Sequence, residues 1–355
     1  MSENSYLYEE QPEIGNVYRE RQKAQFDDLL VQLRQAAEAK RNSFFTPDTS
    51  SVAAYEKDIV RWREQFKSML GWPLGLDDGS VPAAELTEVA EDSLGRIYRV
   101  EVDAGFGLTT YGVLFLPKTE GPHPLVISQH GGQGTPELCS GFYGETNYSD
   151  MTRRVLKRGI AVFAPQLYLW NTELYGPEFD RANYDKQLKQ VGSSIAAVEI
   201  HKIRKAIDYL ISRPDIDGDR VGMIGLSYGG FYTMYTTAVD TRIKAAYSSC
   251  YINDRFLIDW PDFTWFNSGN TFLDAEVCAM IAPRFFWLEV GERDEVFPYE
   301  SAQQEINKVA DLYERLKISH LFRGVSFDGV HELDTNDEGI ELFCDFVRNG
   351  ALTTA

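Results

Sequence analysis

The sequence is short of cysteine, of histidine and of positive charge. Its four cysteines (Cys139, Cys250, Cys278, Cys344) are scattered over 355 residues with no C-x-x-C spacing, which argues against a zinc site or a disulfide scaffold. Free thiols in a reducing compartment are the simplest account, so a cytoplasmic setting is expected. No run reaches about 18 apolar residues, so no transmembrane helix is expected. The polar, acidic start from Met1 to Glu13 carries no secretory-signal pattern. Lys and Arg number 35 against 54 Asp and Glu, a net charge of −19. So acidic a chain repels phosphate backbones and anionic lipid, which removes nucleic acid and membranes as expected partners. Most of the excess acid reads as solubilising surface.

What is present is an ordinary globular composition, 43% hydrophobic and 25% charged. Length alone suggests two domains, although one large α/β domain with an extension fits equally well. Apolar residues recur at near-helical spacing over Asn16–Arg41 (Val17, Phe26, Leu29, Leu30, Leu33) and again over Ser51–Leu70 (Tyr55, Ile59, Trp62, Phe66, Leu70). Gly71-Trp72-Pro73 ends the second helix. These helices form an amino-terminal extension, residues 1–85, that could cover the main domain or build a subunit contact in a homo-oligomer. Residues 86–117 read as strands, with a hairpin turning at Gly105-Phe106-Gly107. From Pro124 to Val347 short apolar runs alternate with helical stretches, the pattern of parallel βαβ units. The expected fold class is therefore α/β: a doubly wound, mostly parallel sheet over residues 86–355.

Gly225-Leu226-Ser227-Tyr228-Gly229 is the chain's one G-x-S-x-G. In isolation it is weak, since chance would place about one in every eight chains of this composition. Its context is stronger. A strand, Val221–Ile224, precedes the serine and a helix begins near Phe231, which is the setting of a nucleophile elbow. A serine hydroxyl needs a base and an orienting carboxylate. Two histidines follow Ser227. His320 lies at the start of the last apolar strand, whereas His331 lies in the loop beyond it and is the expected base. The carboxylate should follow the strand Phe285–Val290. Asp294 is best placed, with Glu292 and Glu295 as neighbours. For the oxyanion, the Tyr228 N–H follows the nucleophile, and His130-Gly131-Gly132-Gln133-Gly134 follows an early strand. Gly132 is the expected second donor. Neither a metal nor an organic cofactor is called for.

These residues resemble the α/β-hydrolase superfamily, and more narrowly its dienelactone hydrolase-like and acetyl xylan esterase-like branch. The resemblance rests on Gly225–Gly230, Gly291-Glu292-Arg293-Asp294, Gly329-Val330-His331-Glu332, the run Ser212-Arg213-Pro214-Asp215-Ile216-Asp217-Gly218-Asp219-Arg220-Val221-Gly222, and Ile281-Ala282-Pro283-Arg284. It covers about residues 86–347. It implies the α/β-hydrolase fold and a serine esterase or related acyl hydrolase. Dienelactone hydrolases proper carry cysteine where this chain has Ser227. Branch members that deacetylate sugars imply acetylated sugars as one substrate class and an oligomer as one state.

Aromatic residues crowd the loops around these positions. Tyr143, Trp170, Trp260 and Trp265 are the expected substrate-binding residues, suited to sugar faces or aromatic esters. Seven carboxylates (Asp328, Glu332, Asp334, Asp337, Glu338, Glu341, Asp345) lie between Gly324 and Val347 with no Lys or Arg among them. If they face the site, they favour a neutral small-molecule ester and an alkaline optimum. The alternative is a small exopeptidase, with Glu173 or Glu178 to meet a free amino terminus.

Overall fold

The computed structural model describes residues 7–76 and 79–351, so Met1–Tyr6 of the polar start lies outside the described residues. In chain order the helices are α1 (Asn16–Phe44), α2 (Val52–Leu70), α3 (Pro136–Cys139), α4 (Met151–Leu156), α5 (Arg181–Gln190), α6 (Ile195–Leu210), α7 (Tyr228–Val239), α8 (Asp274–Ala279), α9 (Tyr299–Arg315) and α10 (Glu338–Asn349). The strands are β1 (Ala84–Glu91), β2 (Gly95–Gly105), β3 (Leu108–Pro117), β4 (His123–Gln129), β5 (Ala161–Pro165), β6 (Ile216–Leu226), β7 (Ile243–Ser249), β8 (Phe285–Gly291) and β9 (Phe322–Phe327).

The strands form one sheet in the order β1-β2-β3-β5-β4-β6-β7-β8-β9. The first three are joined antiparallel to one another and to β5, and the rest pair in parallel. The parallel strands read as continuous apolar runs because helices bury both faces. Every residue of β4, β5 and β8 is buried, whereas β2 alternates exposed and buried positions from Arg99 to Ala104. The hairpin expected at Gly105–Gly107 joins β2 to β3. Strand order reverses beside β4, and the carboxyl ends of β4, β6, β8 and β9 lead into the loops that carry the site, as expected for open α/β sheets.

The chain divides into two compact units, Met1–Thr46 with Gly269–Thr271, and Pro47–Ser268 with Phe272–Ala355. The helix α2 lies in the larger of the two units. Ser51 caps its start by accepting from Ala54 N–H at 3.1 Å. Its apolar stripe of Tyr55, Ile59, Trp62, Phe66 and Leu70 is buried. Phe66 packs edge-on against Tyr235, Trp265 and Phe272, with ring centroids 5.4–5.5 Å apart. The Tyr55 hydroxyl donates to Ala279 O at 2.5 Å. The second predicted helix is thus packed into the unit that carries the sheet. In α1, Val17, Phe26, Leu29, Leu30 and Leu33 are exposed. Among the described residues no helix is long and apolar enough to cross a membrane.

Candidate active site

Ser227 occupies a strained turn between β6 and α7, with φ +60° and ψ −124°. Such a conformation is unfavourable for a residue with a side chain and persists only where its surroundings fix it. Here the fixing is steric. A Cβ on Gly225 would meet the Gly229 carbonyl at 2.3 Å, and one on Gly229 would lie 2.0 Å from Gln129 O. Strand and helix therefore close on each other, and Ser227 N–H is held by Ser249 O at 2.9 Å. The helix begins at Tyr228, three residues before the expected Phe231.

His331 lies in the loop after β9. Its Nδ1 is 2.8 Å from Asp294 Oδ2. The other oxygen of Asp294 accepts from Val296 N–H at 2.7 Å and Phe297 N–H at 3.0 Å, which aims the carboxylate. Burial pulls the Asp294 carboxyl upward, but His331 and these two N–H groups outweigh it and hold it below the usual carboxylate range. The three candidate carboxylates are now separated. Glu292 accepts from Ser326 Oγ at 2.7 Å, and Glu295 is exposed. The histidine loop is tied down from several sides: Asn147 donates to His331 O at 3.1 Å, and buried Glu289 accepts Asp334 N–H at 3.0 Å. Cys250 Sγ, also buried, reaches Glu332 O at 3.2 Å. His320 stands apart, in the short turn Ser319–Leu321 that precedes β9.

The loop after β4 is latched by His130. Its Nε2 accepts Leu167 N–H at 3.0 Å, so the proton sits on Nδ1, which faces Gly131 O at 2.8 Å. Complete burial lowers its pKa to about 4. Gly131 N–H is taken by the Tyr148 hydroxyl at 2.7 Å. Gly132 faces Tyr228, where an added Cβ would lie 3.3 Å from the ring. Tyr228 opens α7, so its N–H has no acceptor within the helix.

Ser227, His331, Gly132 and Tyr228 line one cavity of about 810 Å³. Of the four expected substrate-binding aromatics, Trp170 and Trp260 are in its wall, and Trp260 stacks on Tyr228 at 5.3 Å. Tyr143 is not, although it stacks at 6.0 Å on Tyr175, which is. Trp265 is placed elsewhere: it is buried against Phe66 and Tyr235, where it packs α2 onto α7. Neither Glu173 nor Glu178 lines the cavity; both are exposed.

The field expected from the seven carboxylates is partly offset. Asp337 pairs with Arg154 and Arg158, Glu341 with Arg158, Asp328 with Arg293 and Asp345 with Arg348. None of the seven lines the cavity. Sequence reasoning missed the charge that does. Arg181 lies in the wall, between Glu199, 2.9 Å away, and Asp262, 2.6 Å away. Burial disfavours the Arg181 charge, but Glu199, Tyr232 and Asp262 together raise its pKa above the ordinary arginine range. Glu199 carried one signal in the sequence, a carboxylate inside the apolar stripe of α6.

Strand–elbow–helix, histidine after the last strand and acid after the one before it define an α/β-hydrolase. The chain matches the dienelactone hydrolase family over residues 112–253 and belongs to that family. It is 30% identical over 213 residues to YtaP of Bacillus subtilis, provisionally named a hydrolase, covering 55% of this chain and 69% of YtaP. It is 26% identical over 255 residues to YuxL of the same organism, an uncharacterised peptidase by name, covering 65% of this chain but 36% of YuxL. Among solved structures it resembles a provisionally named acetyl xylan esterase from Bacteroides fragilis, with TM-score 0.64 and 16% identity over 85% of this chain and 84% of that one. A glucuronoyl esterase from Solibacter usitatus gives TM-score 0.62 and 14% identity over 84% of this chain and 94% of that one. At these identities the structural likeness concerns the fold.

Proposed function

We propose that this protein is a serine esterase that cleaves carboxylic esters of small neutral molecules, acetylated sugars or aromatic esters among them. The observation that carries the reading is the 2.8 Å contact of Asp294 with His331, which shares a cavity with Ser227 on its strained turn. Ser227 Oγ attacks the ester carbonyl while His331 Nε2 takes its proton. Asp294 holds Nδ1 protonated and balances the imidazolium. The Gly132 and Tyr228 N–H groups receive the oxyanion. Its collapse breaks the C–O bond, and His331 returns the proton to the departing alcohol. Water, deprotonated by His331, then attacks the acyl-Ser227 ester and releases the acid.

The neutral substrate follows from the cavity wall, where Arg181 is the single permanently charged residue and is matched by two carboxylates. Four buried free thiols fit a cytoplasmic setting. A homo-oligomer built on the exposed apolar side chains of α1 belongs to the same proposal, and light scattering that returns a monomer removes it. The exopeptidase alternative draws on the likeness to YuxL but lacks an acidic group in the wall for a free amine. The test compares p-nitrophenyl acetate with an aminoacyl p-nitroanilide, beside Ser227→Ala. Faster ester turnover that vanishes in the variant supports the esterase, and faster anilide turnover overturns it.

A further inference from the structure

The cavity is far larger than an acetyl ester requires. About 810 Å³ is the size of cleft that accommodates drug-sized ligands. Much of its wall comes from one segment, residues 168–181, which supplies Tyr168, Trp170, Tyr175, Phe179 and Arg181. Its rings rest on one another: Tyr168 stacks on Phe179 at 5.3 Å, and Trp170 lies 5.6 Å from Phe179. Trp170 is fixed by its Nε1 donating to Pro177 O at 2.9 Å, and its backbone bridges to Gln133 in the oxyanion loop.

The two ends of this segment are clasped together. Glu199, buried in α6, accepts Tyr168 N–H at 2.6 Å at one end and both terminal nitrogens of Arg181, at 3.1 and 2.9 Å, at the other. Arg181 also donates to Tyr168 O at 3.2 Å, which closes the ring. Its Nε binds Asp262 at 2.6 Å, and Asp262 in turn accepts from the Tyr228 hydroxyl at 3.2 Å. One guanidinium thus connects the aromatic wall to the residue that follows the nucleophile. A planar fork with five donors can hold these partners at once, which a lysine cannot.

We propose that residues 168–181 are a specificity flap that reads a bulky, uncharged group with a flat apolar face, an aromatic ring or the face of a pyranose, and that Arg181 is the positioning residue that holds this flap against the cavity. The inference rests on the esterase reading and adds the part of the substrate that the flap selects. The clasp consumes the cationic charge of Arg181 internally, and Glu173 and Glu178 lie outside the cavity wall, so the flap turns rings and amides and no unpaired charge toward the cavity. A small ester that fills only the space near Ser227 does not depend on the flap.

The test measures kcat/KM by pH-stat for methyl acetate, 2-naphthyl acetate and a peracetylated methyl glucoside. It uses the full chain, Arg181→Met, Arg181→Lys and Trp170→Ala, each titrated with a fluorophosphonate to count reactive Ser227. The expected result is a fall of about tenfold or more in the ratio of large to small ester in Arg181→Met and Trp170→Ala, carried by KM. Arg181→Lys should fall between Arg181→Met and the natural enzyme. A fall confined to the naphthyl or to the glucoside ester supports the proposal and identifies which flat group is read. An unchanged ratio in Trp170→Ala and in whichever Arg181 variants fold, with Ser227 still labelled, overturns the flap and leaves the esterase standing. No ester turnover and no labelling in the natural enzyme overturn both.

Discussion

Acid should unlatch the oxyanion loop through His130. This imidazole is fully buried and neutral, with Nε2 accepting from Leu167 N–H at 3.0 Å and Gln166 Nε2 3.1 Å away. Protonating Nε2 would place a cation against those donors with no carboxylate in contact. Burial lowers the pKa from 6.5 to about 4. The sign follows directly. The folded pKa lies below the unfolded one, so between them the unfolded chain binds the proton and the folded chain does not. The contribution is intact above pH 6.5 and is lost as pH falls toward 4. The drop from 6.5 to about 4, at about 1.4 kcal/mol per pH unit, is worth about 3.5 kcal/mol in full, of which about 3 kcal/mol is lost by pH 4, where half of the folded molecules have taken up the proton. Urea denaturation of the natural enzyme and of His130→Asn at pH 7.5, 6, 5 and 4 measures it. The variant starts less stable, having lost a buried hydrogen-bond partner, so the slopes are compared and not the absolute values. The natural enzyme should lose about 3 kcal/mol more than the variant across this range. Parallel curves would refute a buried neutral His130 as the latch.

Three further outcomes are expected. Asp294→Asn keeps its place beside His331 but favours the wrong tautomer, so kcat should fall by about 10⁴-fold with little change in melting temperature. A drop below tenfold in a steady-state assay would remove Asp294 from the triad. Gly229→Ala drives a methyl into Gln129 O, 2.0 Å from the ideal Cβ position, and should abolish fluorophosphonate labelling of Ser227 even where the chain still folds. All four thiols are buried, so the native enzyme should resist Ellman's reagent and release four equivalents in guanidinium. Rapid native reaction would show that the core opens readily.

The parts legible in the sequence are those with local signatures. The elbow needs small residues at fixed offsets from Ser227, and the scarcity of histidine left His331 with little competition. Asp294 is preferred on its distance past the strand, but sequence cannot remove Glu292 and Glu295, because the choice depends on where a tight turn points each carboxylate. Trp265 looked like its neighbour Trp260, since a ring that packs a helix and a ring that lines a cavity have the same composition signal. The carboxylate cluster misled because its counterions, Arg154, Arg158 and Arg293, reach it from other parts of the chain. The Arg181–Glu199–Asp262 group left only the misplaced carboxylate of Glu199 as a signal, since Arg181 and Asp262 are 81 residues apart. Amphipathic periodicity shows that α2 has a buried face but not what covers it.

The measurement that bears most directly on the central claim is the pre-steady-state hydrolysis of p-nitrophenyl acetate, quenched in acid and followed by peptide mass spectrometry. Acylation of Ser227 through His331 predicts a burst of nitrophenol of up to one equivalent per active site wherever deacylation is the slower step, and an acetyl group on the peptide that carries Ser227. The Ser227→Ala variant should show neither. Turnover that survives in that variant, or an acetyl group trapped on any other residue during productive hydrolysis, would contradict the account.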